Sequence, residues 1–396
     1  MELSKKIQAM ELSPIRKFVP YADAARAAGK KVYGLNIGQP DIKTPRAFFD
    51  AVKNFDQDVL AYANSQGIPE LLEALVGYYK RLGLSFEKKD LLVTTGGSEA
   101  ISMLMTALLD DDDEVIMAEP FYTNYKTFIS AAGGKLVGIP TTAEEGYQYA
   151  VKEKIEAVIT PKTKAICIIN PGNPTGKVLT HDEMKLIVDI ALAHDLFIIA
   201  DEVYREFVYD GKTMDTFGAF PEAAQNVVIV DSISKRFSAC GARMGSIASK
   251  NEALMGNLMK LCQARLCSAT LDQIGAAALY NMDPSYFNEI KAEYEHRRNV
   301  AVEALNEIEG IQYGVPEGAF YITCKLPVDD AEKFLMFLLT EFDVNGETCM
   351  FAPAGGFFTN PEAGKSDMRI AYVLKAEDMK AGINIIKEGI KAYNAR

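Results

Sequence analysis

A lysine and an arginine eight residues apart stand among small residues in Asp231-Ser-Ile-Ser-Lys-Arg-Phe-Ser-Ala-Cys-Gly-Ala-Arg-Met-Gly245, which follows the apolar run Asn226 to Val230. These types point to a definite chemistry. A lysine amine can form a Schiff base with a carbonyl, an arginine fork grips phosphate, and small residues let the backbone approach a ligand closely. Lys235 and Arg243 could therefore hold the two ends of one small molecule carrying an aldehyde and a phosphate. Taken alone, the same residues describe a solvated surface turn, so the weight lies in what else the chain carries.

Three more segments carry groups that suit such a ligand. Leu91-Leu-Val-Thr-Thr-Gly-Gly-Ser-Glu-Ala-Ile101 reads as a strand, a glycine turn and the first turn of a helix, where free N–H groups and the helix dipole favour an anion. Gly97, Ser98 and Glu99 would form that cradle, or Ser98 caps the helix and nothing more. Ile169-Asn-Pro-Gly-Asn-Pro-Thr-Gly176 follows an apolar strand, and its prolines present asparagine amides, Asn173 foremost, at the sheet edge where α/β proteins bind ligands. Phe197-Ile-Ile-Ala-Asp-Glu-Val-Tyr204 ends another strand with Asp201, a candidate partner for a ring nitrogen or a helix cap, and Tyr204.

Other patterns dissolve on inspection. Gly172-Asn-Pro-Thr-Gly-Lys177 has three residues between its glycines where a P-loop has four, and Val178 stands where a hydroxyl is needed. Proline in the middle of Asn173-Pro-Thr175 excludes a glycosylation sequon. The acidic run Asp110–Glu114 lacks the glycine and ligand spacing of a calcium loop. Six cysteines without a Cys-x-x-Cys pair and three scattered histidines predict no metal centre and no Ser-His-Asp triad. A net charge of −12 argues against nucleic acid and anionic lipid as partners. Polar breaks in Met1–Met10 and the lack of a membrane-length apolar run lead us to expect a cytoplasmic protein acting on small metabolites.

The elements that must position these groups alternate along the chain. β-rich runs at Leu91–Thr95, Glu114–Ala118, Lys135–Ile139, Ala165–Asn170, Phe197–Asp201, Val227–Asp231 and Gly245–Ala248 are separated by helical patterns. Alternation of this kind predicts an α/β large domain, residues 46–283, with a mostly parallel seven-stranded sheet sandwiched by helices. Residues 284–396 read as a smaller α/β domain with strands at Ala319–Thr323, Glu347–Ala352 and Met368–Val373. Residues 1–45 are expected to return and pack with it.

In order, Asn36-Ile-Gly-Gln-Pro-Asp41, Tyr62 with Gly67-Ile-Pro-Glu70, Gly96–Ala100, Pro120-Phe-Tyr122, Asn170–Gly176, Asp201–Tyr204, Ser232–Gly245, Gly318-Ala-Phe-Tyr321 and Met368-Arg-Ile370 span nearly the whole chain. Together they resemble the pyridoxal-phosphate-dependent aminotransferases of fold type I, particularly the class I/II branch that includes many bacterial aspartate aminotransferases. The resemblance implies that Lys235 holds pyridoxal 5'-phosphate as a Schiff base, that Asp201 pairs with its protonated ring nitrogen, and that Tyr204 and Asn173 bind its phenolic oxygen. It implies that Tyr122 stacks on the ring and that Gly97, Ser98, Ser232 and Arg243 converge on the phosphate, joined by Tyr62 from the neighbouring subunit of a homodimer with shared active sites. Arg369 would clamp the substrate α-carboxylate, assisted by Asn173 and the backbone at Gly38.

The substrate is less sharply indicated. Some bacterial aspartate enzymes of this branch carry a lysine where this chain has Ser98, which weakens an aspartate assignment. Arg265 lies in the segment from which other aspartate enzymes send an arginine across the dimer interface, and a helix-end salt bridge is its alternative role. Aspartate and 2-oxoglutarate are the favoured pair, with neutral or aromatic donors open. A lyase on the same fold and a non-catalytic cofactor-binding relative are the competing classes.

Overall fold

Seven apolar runs between Leu91 and Ala248 form one sheet in the computed structural model, which describes residues 1–396 apart from the side chain of Ala9. Counting Lys31–Gly34 as β1, they are β2 (Leu91–Thr94), β3 (Glu114–Ala118), β4 (Lys135–Ile139), β5 (Thr163–Ile169), β6 (Phe197–Asp201), β7 (Val227–Ser232) and β8 (Gly245–Ala248). Across the sheet the order is β2-β8-β7-β6-β5-β3-β4, parallel except for β8, which runs antiparallel to both neighbours. Parallel neighbours need long crossovers, and helices supply them, so both faces are covered and the strands read as unbroken apolar runs. Alternation along the strands sends Ile166, Ile168, Ile198 and Ile229 to one core and Ala165, Cys167, Ile199 and Val228 to the other.

The remaining strands are β9 (Gln312–Tyr313), β10 (Tyr321–Lys325), β11 (Glu347–Met350), β12 (Ala352–Pro353) and β13 (Asp367–Ala371). The single strand expected over Glu347–Ala352 is divided. β11 pairs in parallel with β1, whereas β12 joins the antiparallel sheet β12-β13-β10-β9. The break falls at Phe351, whose ring is fully buried in the core beneath both sheets. Leu35 links them, donating its N–H to Met350 and accepting from Ala371. The same core takes in Tyr204, Phe207 and Tyr209 from the loop after β6, so the end of that strand is packed from both sides. No helix among the described residues is long and apolar enough to cross a membrane.

Candidate active site

The carboxyl ends of β5, β6 and β7 and the start of the helix Gly96–Leu108 meet at a cavity of about 520 Å³. The helix can begin there because Gly245 on β8 has no side chain: a Cβ would stand 2.6 Å from the carbonyl carbon of Gly96 and 2.8 Å from the nitrogen of Gly97.

A short helix, Ile233–Arg236, begins where β7 ends, capped by Ser232, whose hydroxyl accepts from the Ser234 N–H at 3.1 Å. Asp231 secures the turn, accepting from the Ser232 N–H at 2.7 Å and from Arg236 Nη2 at 2.6 Å, and the guanidinium lies 4.6 Å from the ring of Tyr78. Both charges are buried, and removing one partner of such a pair costs about 3–5 kcal/mol. This rigid turn sends Lys235 into the cavity, where Nζ donates to the carbonyl of Gly38 at 2.8 Å. Gly38 must be glycine, since a Cβ there would meet the hydroxyl of Tyr321 at 2.0 Å.

Asp201 stands at the last residue of β6, part-buried and open to the cavity. Tyr125 donates its hydroxyl to Oδ2 at 2.7 Å, and the Val203 N–H donates to Oδ1 at 3.3 Å. Burial pushes the carboxyl up to about 6, and the Tyr125 hydrogen bond pulls against that rise. Beside it, Asn173 Nδ2 donates to the Tyr204 hydroxyl at 3.4 Å, and the Tyr204 and Tyr321 hydroxyls are 2.9 Å apart. Burial, then the neighbouring Tyr321, holds the Tyr204 phenol well above its ordinary range, so it is a neutral donor.

The cavity wall also holds Gly97, Ser98, Ser232, Ser234 and Arg243. The first-turn N–H groups of a helix have no partner inside it, which makes the helix start a cradle for an anion. Arg243 adopts φ 51° and ψ 50°, a left-handed conformation that costs about 1–3 kcal/mol and persists where the surroundings impose it. A Cβ on Gly96 would lie 2.5 Å from Arg243 Nη2, so the glycine turn makes room for the guanidinium.

Arg369, on β13, is 2 % exposed and donates Nη1 to Asn173 Oδ1 at 3.1 Å and Nη2 to the Asn36 carbonyl at 2.6 Å. Its Nε is buried without a partner, and Tyr321 and Phe357 flank the fork at 4.6 and 5.2 Å. A guanidinium held this firmly with an unspent donor is prepared for a carboxylate.

Gly38, Gly97, Ser98, Tyr122, Asn173, Asp201, Tyr204, Ser232, Lys235, Arg243 and Arg369 thus line one cavity, while Glu99, Arg265 and Tyr62 do not. Glu99 accepts from the Thr95 N–H at 2.6 Å and from Arg265 Nη1 at 2.5 Å. Arg265 also reaches Ser268 Oγ at 3.0 Å and, through Nη2, the Ser65 carbonyl at 3.0 Å. Its Nη1 and Nη2 are thus both engaged within its own chain, with Glu99 as the ion-pair partner. Tyr62 is 80 % exposed in an irregular stretch with Val59 and Leu60. Among the cavity residues that escaped the sequence reading of roles are Tyr125 and Tyr321. Tyr125 could have been found from its position, one helical turn after Tyr122, and Tyr321 stood unassigned within a recognised motif. The false P-loop is closed on itself, with the Gly172 N–H bonded to the Lys177 carbonyl and the Gly176 N–H to that of Gly172.

A seven-stranded, mostly parallel sheet with a lysine, an aspartate and an anion cradle at its carboxyl edge, joined to a smaller α/β unit that supplies an arginine, defines an α/β enzyme of fold type I. The family model for aminotransferase class I and II matches residues 30–386, and the chain belongs to that family of enzymes, which transfer nitrogenous groups. It is 29% identical to an aspartate aminotransferase of Bacillus subtilis, with both chains covered in full, and 30% identical to aromatic-amino-acid aminotransferase 2 of Thermococcus litoralis over 99% of each. The solved structure of an alanine aminotransferase from Pyrococcus furiosus superposes with a TM-score of 0.90 at 29% identity, covering 99% of this chain and 100% of that one.

Proposed function

We propose that the cavity holds pyridoxal 5'-phosphate and that the enzyme transfers the amino group of an L-amino acid, of the aspartate type, to a 2-oxo acid such as 2-oxoglutarate. The carrying observation is that the Lys235 amine, the Asp201 carboxylate and the Arg369 fork face one cavity. The donor set fits the cofactor: the cradle of Gly97, Ser98, Ser232 and Arg243 suits its phosphate, Asn173 and Tyr204 its phenolic oxygen, Tyr122 its ring face and Asp201 its ring nitrogen. When bound, that group supplies an electron sink for the charge left at the substrate Cα. Arg369, with Asn173 and the backbone at Gly38, orients the substrate by its α-carboxylate. Lys235 Nζ is the base that takes the α-proton, and Asp201 keeps a proton on the ring nitrogen. A panel of amino donors tests the reading: product formation has to depend on a second 2-oxo acid, and release of a 2-oxo acid without an acceptor marks a lyase instead.

Tyr125 sets the charge of Asp201 in this reading. Its hydrogen bond favours the carboxylate, so Tyr125→Phe moves the carboxyl further up than about 6. The pH at which cofactor affinity strengthens then shifts upward in the variant, as fluorescence titration of the cofactor-free protein over pH 5–9 measures. An unchanged profile separates Tyr125 from the charge of Asp201.

The same reading makes the enzyme a homodimer in which Tyr62 completes the partner's phosphate site. The exposed Val59, Leu60 and Tyr62 support it, because apolar side chains contiguous in sequence and open to solvent mark contact surfaces. Lys235→Ala and Tyr62→Asp are each severely impaired as homodimers, and mixing them restores activity, since one site in each heterodimer has both native residues. Verified subunit exchange without restoration refutes the shared site.

A further inference from the structure

Four cations line the cavity: Lys235, Arg243, Arg369 and Arg16. The first three have work in the reading above. Arg16 has none, and its side chain is exposed without an ion pair among the described residues, although Lys17 beside it is paired with Glu332.

The presentation of Arg16 is built. The N–H groups of Arg16 and Lys17 both bond to the Ser13 carbonyl, at 3.1 and 3.2 Å, closing a turn. Ile15 is buried among Ala352, Ala354, Phe357 and Phe358, with Tyr122 packed against that cluster. Pro14 sits against Gly356, where a Cβ would approach its Cγ to 2.8 Å. The turn is therefore fixed to the segment that follows β12. In β12, Ala352 is the register partner of Arg369, and the ring of Phe357 faces the Arg369 guanidinium at 5.2 Å. Two arginines that look into one cavity are thus mounted on one piece of structure, with their spacing set by the same strand.

The other routes to a second carboxylate are closed or uncharged. Arg265 spends its fork on Glu99, Ser268 and Ser65, while position 98 is a serine with Ile101 and Phe128 also in the cavity wall. We propose that Arg16 binds the distal carboxylate of dicarboxylic substrates, with Arg369 on the α-carboxylate, so that the pair measures the length of the substrate. This rests on the aminotransferase reading. A charge-assisted hydrogen bond to a carboxylate, formed as the substrate displaces water from an exposed guanidinium, is the interaction that separates aspartate from alanine.

The test uses the holoenzyme in the donor half-reaction alone, followed by absorbance, with aspartate, glutamate, alanine and phenylalanine. Arg16→Gln lowers the ratio of kcat/KM for aspartate to that for alanine roughly ten- to a hundredfold, and Arg16→Lys recovers part of it. Binding of maleate, a dicarboxylate that cannot be transaminated, weakens by a similar factor in calorimetry. Lys17→Gln, in the same turn but paired elsewhere, leaves the ratio where it was, which excludes a general loosening of the turn. An unchanged ratio in Arg16→Gln, or a ratio that moves in Arg265→Leu instead, overturns the assignment. If the wild-type holoenzyme transaminates none of the four donors, the underlying reading fails and the role of Arg16 falls with it.

Discussion

Lys235→Ala loses at least about ten-thousandfold in kcat, the upper end of what a positioned proton-transfer group contributes, because this variant forfeits both the covalent anchor and the base. The fold survives the change. Lys235 is part-buried, and its one hydrogen bond is to the Gly38 carbonyl, whereas the turn that carries it is held by Asp231 and Arg236. Borohydride treatment of the wild-type holoenzyme followed by peptide mapping leaves the pyridoxyl mass on Lys235, and the variant takes up no such mass. Label on another lysine, or wild-type turnover in Lys235→Ala, contradicts the assignment.

Asp201→Asn separates catalysis from stability. Turnover falls on the order of a hundredfold or more, since an amide cannot hold a neighbouring ring nitrogen protonated. Stability of the cofactor-free protein moves the other way. The folded carboxyl sits at about 6 against an ordinary 3.8, so its contribution is fully present below pH 3.8 and is lost as pH rises through 6. The loss approaches about 3 kcal/mol, and the asparagine variant escapes it. Urea denaturation of the two cofactor-free proteins therefore shows the variant ahead at pH 7.5 and the advantage gone near pH 4. Equal curves at both values mean that Asp201 is not held in a desolvated site.

The large sheet was legible because its inner strands are buried on both faces and so write nearly unbroken apolar runs, with Asp201 and Ser232 at the ends where a ligand edge was expected, while the edge strand β4 is only part-buried. Glu347–Ala352 was legible as strand but not as two strands, because the partner that peels β11 away is β1, some three hundred residues earlier. The commitment of Arg265 to Glu99 was open for a similar reason: helix Glu252–Arg265 and helix Gly96–Leu108 are distant in sequence, and only packing brings their ends together. Tyr125 and Arg16 reach the cavity through a helix face and a clipped turn. Neither leaves a mark in a local window, where a tyrosine reads as core and an arginine as surface.

The position of β8 has a consequence for how the molecule is made. β2 and β7 are joined only through β8, which is threaded between them, so β2 has no strand partner until the chain has been synthesised past Ala248. Contacts of such long sequence separation form slowly and leave an apolar edge exposed to association in the meantime. Lys235 and Arg243 lie in the segment that leads into this last strand, and the start of the helix Gly96–Leu108 rests on Gly245 within it. A nascent or truncated chain that stops short of β8 thus lacks both the only strand partner of β2 and the glycine against which the helix Gly96–Leu108 begins.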